Sequence, residues 1–380
     1  MKEIRNKIIT ISGEPVSGKS TVVKLIRDKY EKMGNKVQII SVGNIFRQLI
    51  QEEYYRTYPD RKNVSLTEIQ TDEDFKEKRN QIDQMVDGEI ARRGQLINQT
   101  EQPNNVYIID SRLAWNNIPD SYAVRLTVNE NIAGKRVFDD QTRGVEDKFI
   151  SLDEATEQTR KRKLSEIQRY KERYGVDLTN PDNYDLIVDT SFSNPRELAQ
   201  IIVEGEQNYR TGKYYPKTWK SPALFLPAQN IRDTIGTSAF GNNIEGLTES
   251  IKKNGYDFDA GEVTTLEYEG NTYLKEGHHR TIAALAAGKT LIPYYTEHKD
   301  DEYTKTFLNN GFSISDYYDW EETIRSGAKL GGIHSLENFD ILEYFDIVKL
   351  VNRNKRISEP NQKQESSPKQ GLNQNQEPEL

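Results

Sequence analysis

The sequence predicts an α/β protein: a parallel sheet covered by helices on both faces, then a smaller α+β unit and a polar tail. Three observations carry this reading. Short apolar runs alternate with helical stretches through the first half of the chain. A glycine-rich octapeptide, GEPVSGKS (13–20), joins the first apolar run to the first helical stretch. From residue 357 the chain has no aromatic residue and nothing with which to build a core, so 357–380 is expected to be a disordered tail.

The apolar runs KIITIS (7–12), VQIIS (37–41), VYIID (106–110), AVRLTV (123–128) and YDLIVDT (184–190) predict a five-stranded parallel sheet. Residues 18–33 carry apolar side chains at helical spacing. PRELAQIIVEG (195–205) opens with proline and closes with glycine, as a last helix would. The expected division is a domain at 1–205, a linker at 206–220, a second domain at 221–300, a helical extension at 301–356, and the tail. In the second domain, 242–259 reads as a helix ending at Gly255. Residues 262–277 read as a hairpin turning at Glu269, Gly270 and Asn271, HHRTIAALAAGK (278–289) as a helix, and LIPYY (291–295) as a strand.

At 380 residues, two to three domains are expected. The absence of cysteine excludes disulfides and thiolate metal sites. No run reaches the ~18 apolar residues of a membrane span. The apolar run near the N-terminus is too short for a signal segment, so a cytoplasmic protein is expected. A net charge of -8 argues against wrapping nucleic acid over the whole surface, while leaving room for local basic patches.

GEPVSGKS fits the phosphate-binding pattern G-x-x-x-x-G-K-[ST] in the strand-to-helix context that gives it meaning. Gly13, Ser17, Gly18, Lys19, Ser20 and Thr21 are the expected nucleotide-binding residues. The loop amides and the helix N-terminus would cradle phosphates, and Lys19 would reach the β- and γ-phosphates of ATP. Ser20 would hold Mg²⁺, with Asp110, at the end of the third strand, binding it through water; a solvated strand-end aspartate is the alternative. Arg112 follows two residues later, and Arg47 opens the helix after the second strand; both are candidate acceptor-site residues. TEQTRKRKLSEIQRYKERYG (156–175) places Arg162, Arg169 and Arg173 on one helical face. Such a run is either a solvated face or a closing lid whose arginines stabilise transferring charge.

Taken together, ISGEPVSGKSTVVKLI, SVGNIFRQL, IIDSRLAW and RKRKLSEIQRYKERYGVDLTNPDNYDLIVDTS resemble the cytidylate kinases, particularly the short archaeal-type enzymes. The likeness covers residues 5 to about 205. It implies a nucleoside monophosphate kinase fold, ATP as donor and an arginine-bearing helical lid. By motif position it implies Arg47 and Arg112 at the acceptor, and Arg162 and Arg169, with Lys19 and Asp110, in catalysis. Two departures lie on the acceptor side. Asp-Ser precedes the RLA element where Glu-Gly is expected, and a charged insert runs roughly from Tyr54 to Asn80.

In the second domain, Gly277 ends a strand and His278, His279, Arg280 and Thr281 open a helix, a place where amides and donors attract an anion. The order LPAQNIRD, GLTESIKKNGYDF, EGHHR and AAGKTLIPYY resembles the ParB/sulfiredoxin superfamily over about 221–296. The resemblance implies a nucleotide-phosphate site at Glu276–Thr281. Histidine at 278 removes the cysteine chemistry of sulfiredoxins, and structural capping by the two histidines is the alternative.

These readings converge on an ATP- and Mg²⁺-dependent phosphotransferase acting on a CMP- or dCMP-type acceptor. One rival is a kinase for a hydroxyl of a modified base in DNA, gripped by the second domain, with Asp110 as the base. The other is a nucleotide-gated DNA-binding protein with little turnover.

Overall fold

The computed structural model describes residues 7–309, apart from 65–67, 70–71, 100–103, 141–148, 228–243, 258–260 and 269. In the first half, β1 (Lys7–Gly13), β2 (Lys36–Ser41), β3 (Asn105–Asp110), β4 (Tyr122–Thr127) and β5 (Leu186–Asp189) pair in the order β2-β3-β1-β4-β5, all parallel. Alternate strand residues bury on opposite faces. Ile9, Ile11 and Ile108 pack under α1 (Lys19–Lys32) and α7 (Pro195–Thr211). Ile8, Tyr107 and Ile109 face α2 (Val42–Thr57) and α3 (Lys76–Gln99). Burial on both faces is why these strands read as continuous apolar runs. The short α4 (Ala114–Asn117), α5 (Glu130–Asp139) and the long α6 (Leu152–Tyr174) complete this half.

The sheet does not stop at five strands. β6 (Thr218–Lys220) adds parallel to β5, and β10 (Ile292–Thr296) adds antiparallel to β6. Then come β8 (Val263–Tyr268), β9 (Asn271–Glu276) and β7 (Phe225–Pro227), giving one mixed ten-stranded sheet. The residues expected as a linker are therefore structured. Trp219 is buried in the first-half core beside Leu291, and that burial fixes β6. The last helix also continues six residues past Gly205, to a left-handed Gly212. Gly205 is no stop signal: a Cβ there would meet the Tyr122 hydroxyl at 2.1 Å, so glycine serves close packing. Beyond it, buried Glu206 accepts from the Tyr30 hydroxyl at 2.6 Å and pairs with Arg210.

The second half packs α8 (Ile244–Asn254) and α9 (His278–Ala286) on the outer strands, around Phe225, Val263, Leu274 and Ile282. The α10 helix (Asp301–Asn309) opens the stretch read as a helical extension; the rest of that stretch and the tail lie outside the described residues, as does Glu269 of the hairpin turn.

The insert at 54–80 forms part of a satellite core. Tyr54 and Phe75 are fully buried and meet edge to face at 5.0 Å. Arg61 stacks over Tyr58 at 4.2 Å and pairs with Asp72 at 2.6 Å. The two ends of α6 are tied down differently. Its C-terminal end is held by α3, with Arg173 on Asp83 at 2.5 Å and the Tyr174 hydroxyl on Asp87 at 2.6 Å. Near its N-terminal end, Thr156 lies against Gly134 of α5.

A Cβ on Gly134 would fall 2.6 Å from the Thr156 backbone Cα. Helix propensity favours alanine there by about 1 kcal/mol, but overpacking costs about 1–3 kcal/mol. Gly134→Ala is expected to lower the denaturation midpoint. A raised midpoint would show that propensity outweighs the contact between α5 and α6.

Candidate active site

The chain curls between β1 and α1 as a phosphate-binding loop must. Val16 and Gly18 both take left-handed backbone, with φ of 65° and 75°. The Ser17 amide closes a turn onto the Glu14 carbonyl at 3.2 Å. Gly18 caps α1 with no side-chain partner, so the first-turn amides, which no helix satisfies internally, are left for a ligand. The Ser17 hydroxyl is buried without a hydrogen-bond partner, and a Cβ on Gly13 would lie 2.6 Å from it. A buried orphan donor inside a glycine-lined cradle fits a phosphate.

Parallel register sets the next residues. Ile11 pairs with Asp110, so the ends of β1 and β3 meet at one edge. There Lys19 Nζ lies 2.5 Å from the Asp110 carboxylate. Burial lowers the Lys19 pKa; Asp110 opposes the shift and Arg112 adds to it. Arg112 donates to Glu166 of α6 at 2.7 Å, and its backbone carbonyl accepts from the Trp115 indole at 3.0 Å. Ser20 is exposed on the first turn of α1. Among the described residues, no group of three or more His, Cys, Asp or Glu could hold a metal by itself. A hydroxyl and one carboxylate suit Mg²⁺, which keeps waters and takes phosphate oxygens as ligands.

Several residues that the sequence did not single out complete the cleft. Glu14, inside the loop, accepts from Arg125 at 3.2 Å, from the Val128 amide at 3.2 Å and from Lys163 of α6 at 3.2 Å. Arg125 is buried and sits 5.4 Å from the Tyr184 ring centre. Arg136 donates to the Val16 carbonyl at 3.2 Å and to the Thr190 carbonyl at 2.5 Å, bracing the loop from α5. From α6 it is Lys163 and Glu166 that face the loop. Arg162 is exposed, 4.0 Å from Glu166, and Arg169 lies exposed beside Tyr170. Arg47 is exposed and donates to Asn44 on its own helix. The structure thus brings Ser17, Lys19, Asp110 and Arg112 together and leaves Arg47, Arg162 and Arg169 outside the cluster.

The family model described as "Cytidylate kinase-like family" matches residues 8–192. The cytidylate kinase of Sulfurisphaera tokodaii is 31% identical over 208 residues, covering 54% of this chain and 98% of that one. The cytidylate kinase of Methanosarcina barkeri is 29% identical over 197 residues, covering 51% and 93%. The first half of the chain belongs to the cytidylate kinase-like family. A third relative, the S-adenosylmethionine-dependent nucleotide dehydratase of Lacinutrix mariniflava, is 30% identical over 199 residues; the match spans 52% of this chain and only 36% of that protein.

The second half lies beyond the cytidylate kinase-like match. There Gly277 is left-handed, with φ of 94°, at the N-terminus of α9. Glu276 is exposed, and Thr281 Oγ1 donates back to the Gly277 carbonyl at 3.1 Å. Arg280 donates to the Gly261 carbonyl, and His279 Nε2 is buried without a partner. His278 is buried, and burial, then the neighbouring His279, lowers its pKa to about 4.

Lys19→Ala is expected to keep the fold and abolish ATP-dependent phosphoryl transfer, since the loop loses its charge on the β/γ-phosphates. Transfer at near the wild-type rate would place the chemistry elsewhere. A depressed histidine pKa stabilises the folded state fully above the unfolded value of 6.5, and that contribution is lost as pH falls toward 4. Over the full window it amounts to roughly 3 kcal/mol. In denaturant titrations, His278→Gln should flatten the fall in stability between those limits; identical slopes would exclude His278 as the titrating group.

Proposed function

We propose that the chain is an ATP- and Mg²⁺-dependent phosphotransferase that moves the γ-phosphoryl group to a CMP- or dCMP-type acceptor. The observation that carries this is the Lys19–Asp110–Arg112 cluster at the mouth of a complete phosphate loop, within a domain of the cytidylate kinase-like family. An acceptor phosphate is already ionised, so the reaction needs positioning and charge stabilisation rather than a strong base. Lys19 and the loop amides would orient the donor phosphates. Arg112 would take the acceptor phosphate in exchange for Glu166, a bidentate partner for which guanidinium is suited. Ser20 and Asp110 would hold Mg²⁺, which neutralises charge on the phosphate oxygens when bound. Lys163 is the α6 cation nearest the loop and would stabilise the charge in transit; Arg162 and Arg169 would act only if α6 turns on closure.

A second, separate reading concerns α9. Its left-handed glycine, its first-turn amides and the orphan Nε2 of His279 support an anion site of the ParB/sulfiredoxin kind at residues 276–281. Through such a site the second half would hold a nucleotide phosphate or a DNA backbone.

The test is transfer from γ-labelled ATP to CMP, dCMP, UMP, AMP and modified-base DNA by the full chain. The expected outcome is labelled CDP or dCDP, with Lys163→Met lowering kcat by about a hundredfold and Arg169→Ala only slightly. Label on DNA alone would favour a base-hydroxyl kinase, and the reverse ranking of the two variants would put the opposite face of α6 in the site.

A further inference from the structure

A cavity of about 200 Å³ lies between the two halves of the molecule, beside the phosphate loop on its β5 side. One wall is Glu14, Lys163 and Asp189. The other is Lys220 of β6, Leu224 and Thr272 of the hairpin. That second wall lies beyond residues 8–192, so the cavity is not a feature that a cytidylate kinase-like domain supplies alone. We infer that it binds a small organic anion: a phosphate or carboxylate on a mainly apolar or planar body.

The charge comes from two ammonium groups, one from each half of the chain. Lys220 is fixed in place. It donates to Thr272 Oγ1 at 2.6 Å, which in turn donates to Glu267 at 2.7 Å, and it sits 5.4 Å from the Tyr294 ring centre. Burial works against its charge, but Tyr294, Glu267 and Asp189 outweigh that and hold its pKa above the ordinary lysine value. Lys163 enters from α6. The two carboxylates of the lining are shared between cations: Glu14 pairs with Arg125 as well as with Lys163, and Asp189 acts on Arg136 as well as on Lys220. Neither lysine has a carboxylate to itself, so a ligand's anionic group can join or replace these shared partners. The body of the ligand has an apolar surface to lie on, formed by Val128, Ala223, Leu224 and Leu226, with Asn271 also in the lining for a polar contact. The volume equals on the order of seven liquid waters, which admits a ring bearing one anionic group and not a folded stretch of polymer.

Occupancy would bridge α6 to the second half, because Lys163 belongs to one and Lys220 to the other. The test uses the full chain carrying Lys19→Ala, which weakens nucleotide binding at the loop, titrated calorimetrically with phenyl phosphate, glucose 6-phosphate and citrate. Buried Trp219, next to Lys220, gives a second readout by emission. At least one probe is expected to bind, and which of the three does so separates aromatic phosphate, sugar phosphate and carboxylate. Adding Lys220→Met should weaken that binding by tenfold or more, about the worth of one charge-assisted hydrogen bond. Leu224→Trp, which fills the cavity from a partly buried position and leaves both lysines in the chain, should abolish it. If no probe binds, or if binding survives both substitutions, the cavity is not a ligand site. These outcomes are independent of whether the unsubstituted chain phosphorylates CMP.

Discussion

The Glu14 carboxylate is the interaction on which the rest of the cleft depends. It sits within the phosphate loop, and its oxygens take Arg125 from β4, Lys163 from α6 and the amide that starts the chain toward α5. One side chain thus ties the loop to the sheet and to the helix above it. Such a buried pair adds little net stability, since desolvation cancels much of the attraction, but removing one partner is costly. What the arrangement provides is position. Three cations, Lys19, Arg112 and Lys163, are held beside the loop by Asp110, Glu166 and Glu14. A ligand's phosphate oxygens can replace those carboxylates without the cations having to be gathered from solvent.

Much of this was legible in the sequence, for a reason that can be named. In a parallel sheet every strand ends at the same edge, so GEPVSGKS after the first run and Asp110–Arg112 after the third had to meet. The missed residues were hidden by their context. Glu14 occupies a variable position of the loop motif, which tolerates any residue. Lys163 stands among seven cations of one helix, and spacing alone cannot say which face turns inward. Arg125 did carry a signal: a charge in the middle of the apolar run AVRLTV needs a buried partner. The misread linker has a similar origin. Its glycine, proline and lysine content resembles a loop, while the decisive residue was Trp219, whose burial needs strands that arrive from residues 291 and beyond.

That strand addition changes how the two halves relate. The match to the cytidylate kinase-like family ends just after β5, at residue 192; beyond it β6 and β10 carry the hydrogen bonding across into the second half. The β5 end of the cleft is therefore walled by residues from the hairpin and from the turn before β7. A substrate or effector that reaches this end meets both halves at once, which gives a physical basis for the second half to influence chemistry at the loop.

On ligand binding, phosphate oxygens should take over the carboxylates' places at the cleft cations. A structure of the full chain with a bisubstrate compound, adenosine and cytidine joined through a chain of phosphates, would show this. Phosphate oxygens are expected within hydrogen-bond distance of Lys19 Nζ, Arg112 and the amides of residues 16–20, with Arg112 released from Glu166. Phosphates bound elsewhere, with the Lys19–Asp110 and Arg112–Glu166 pairs intact, would contradict it.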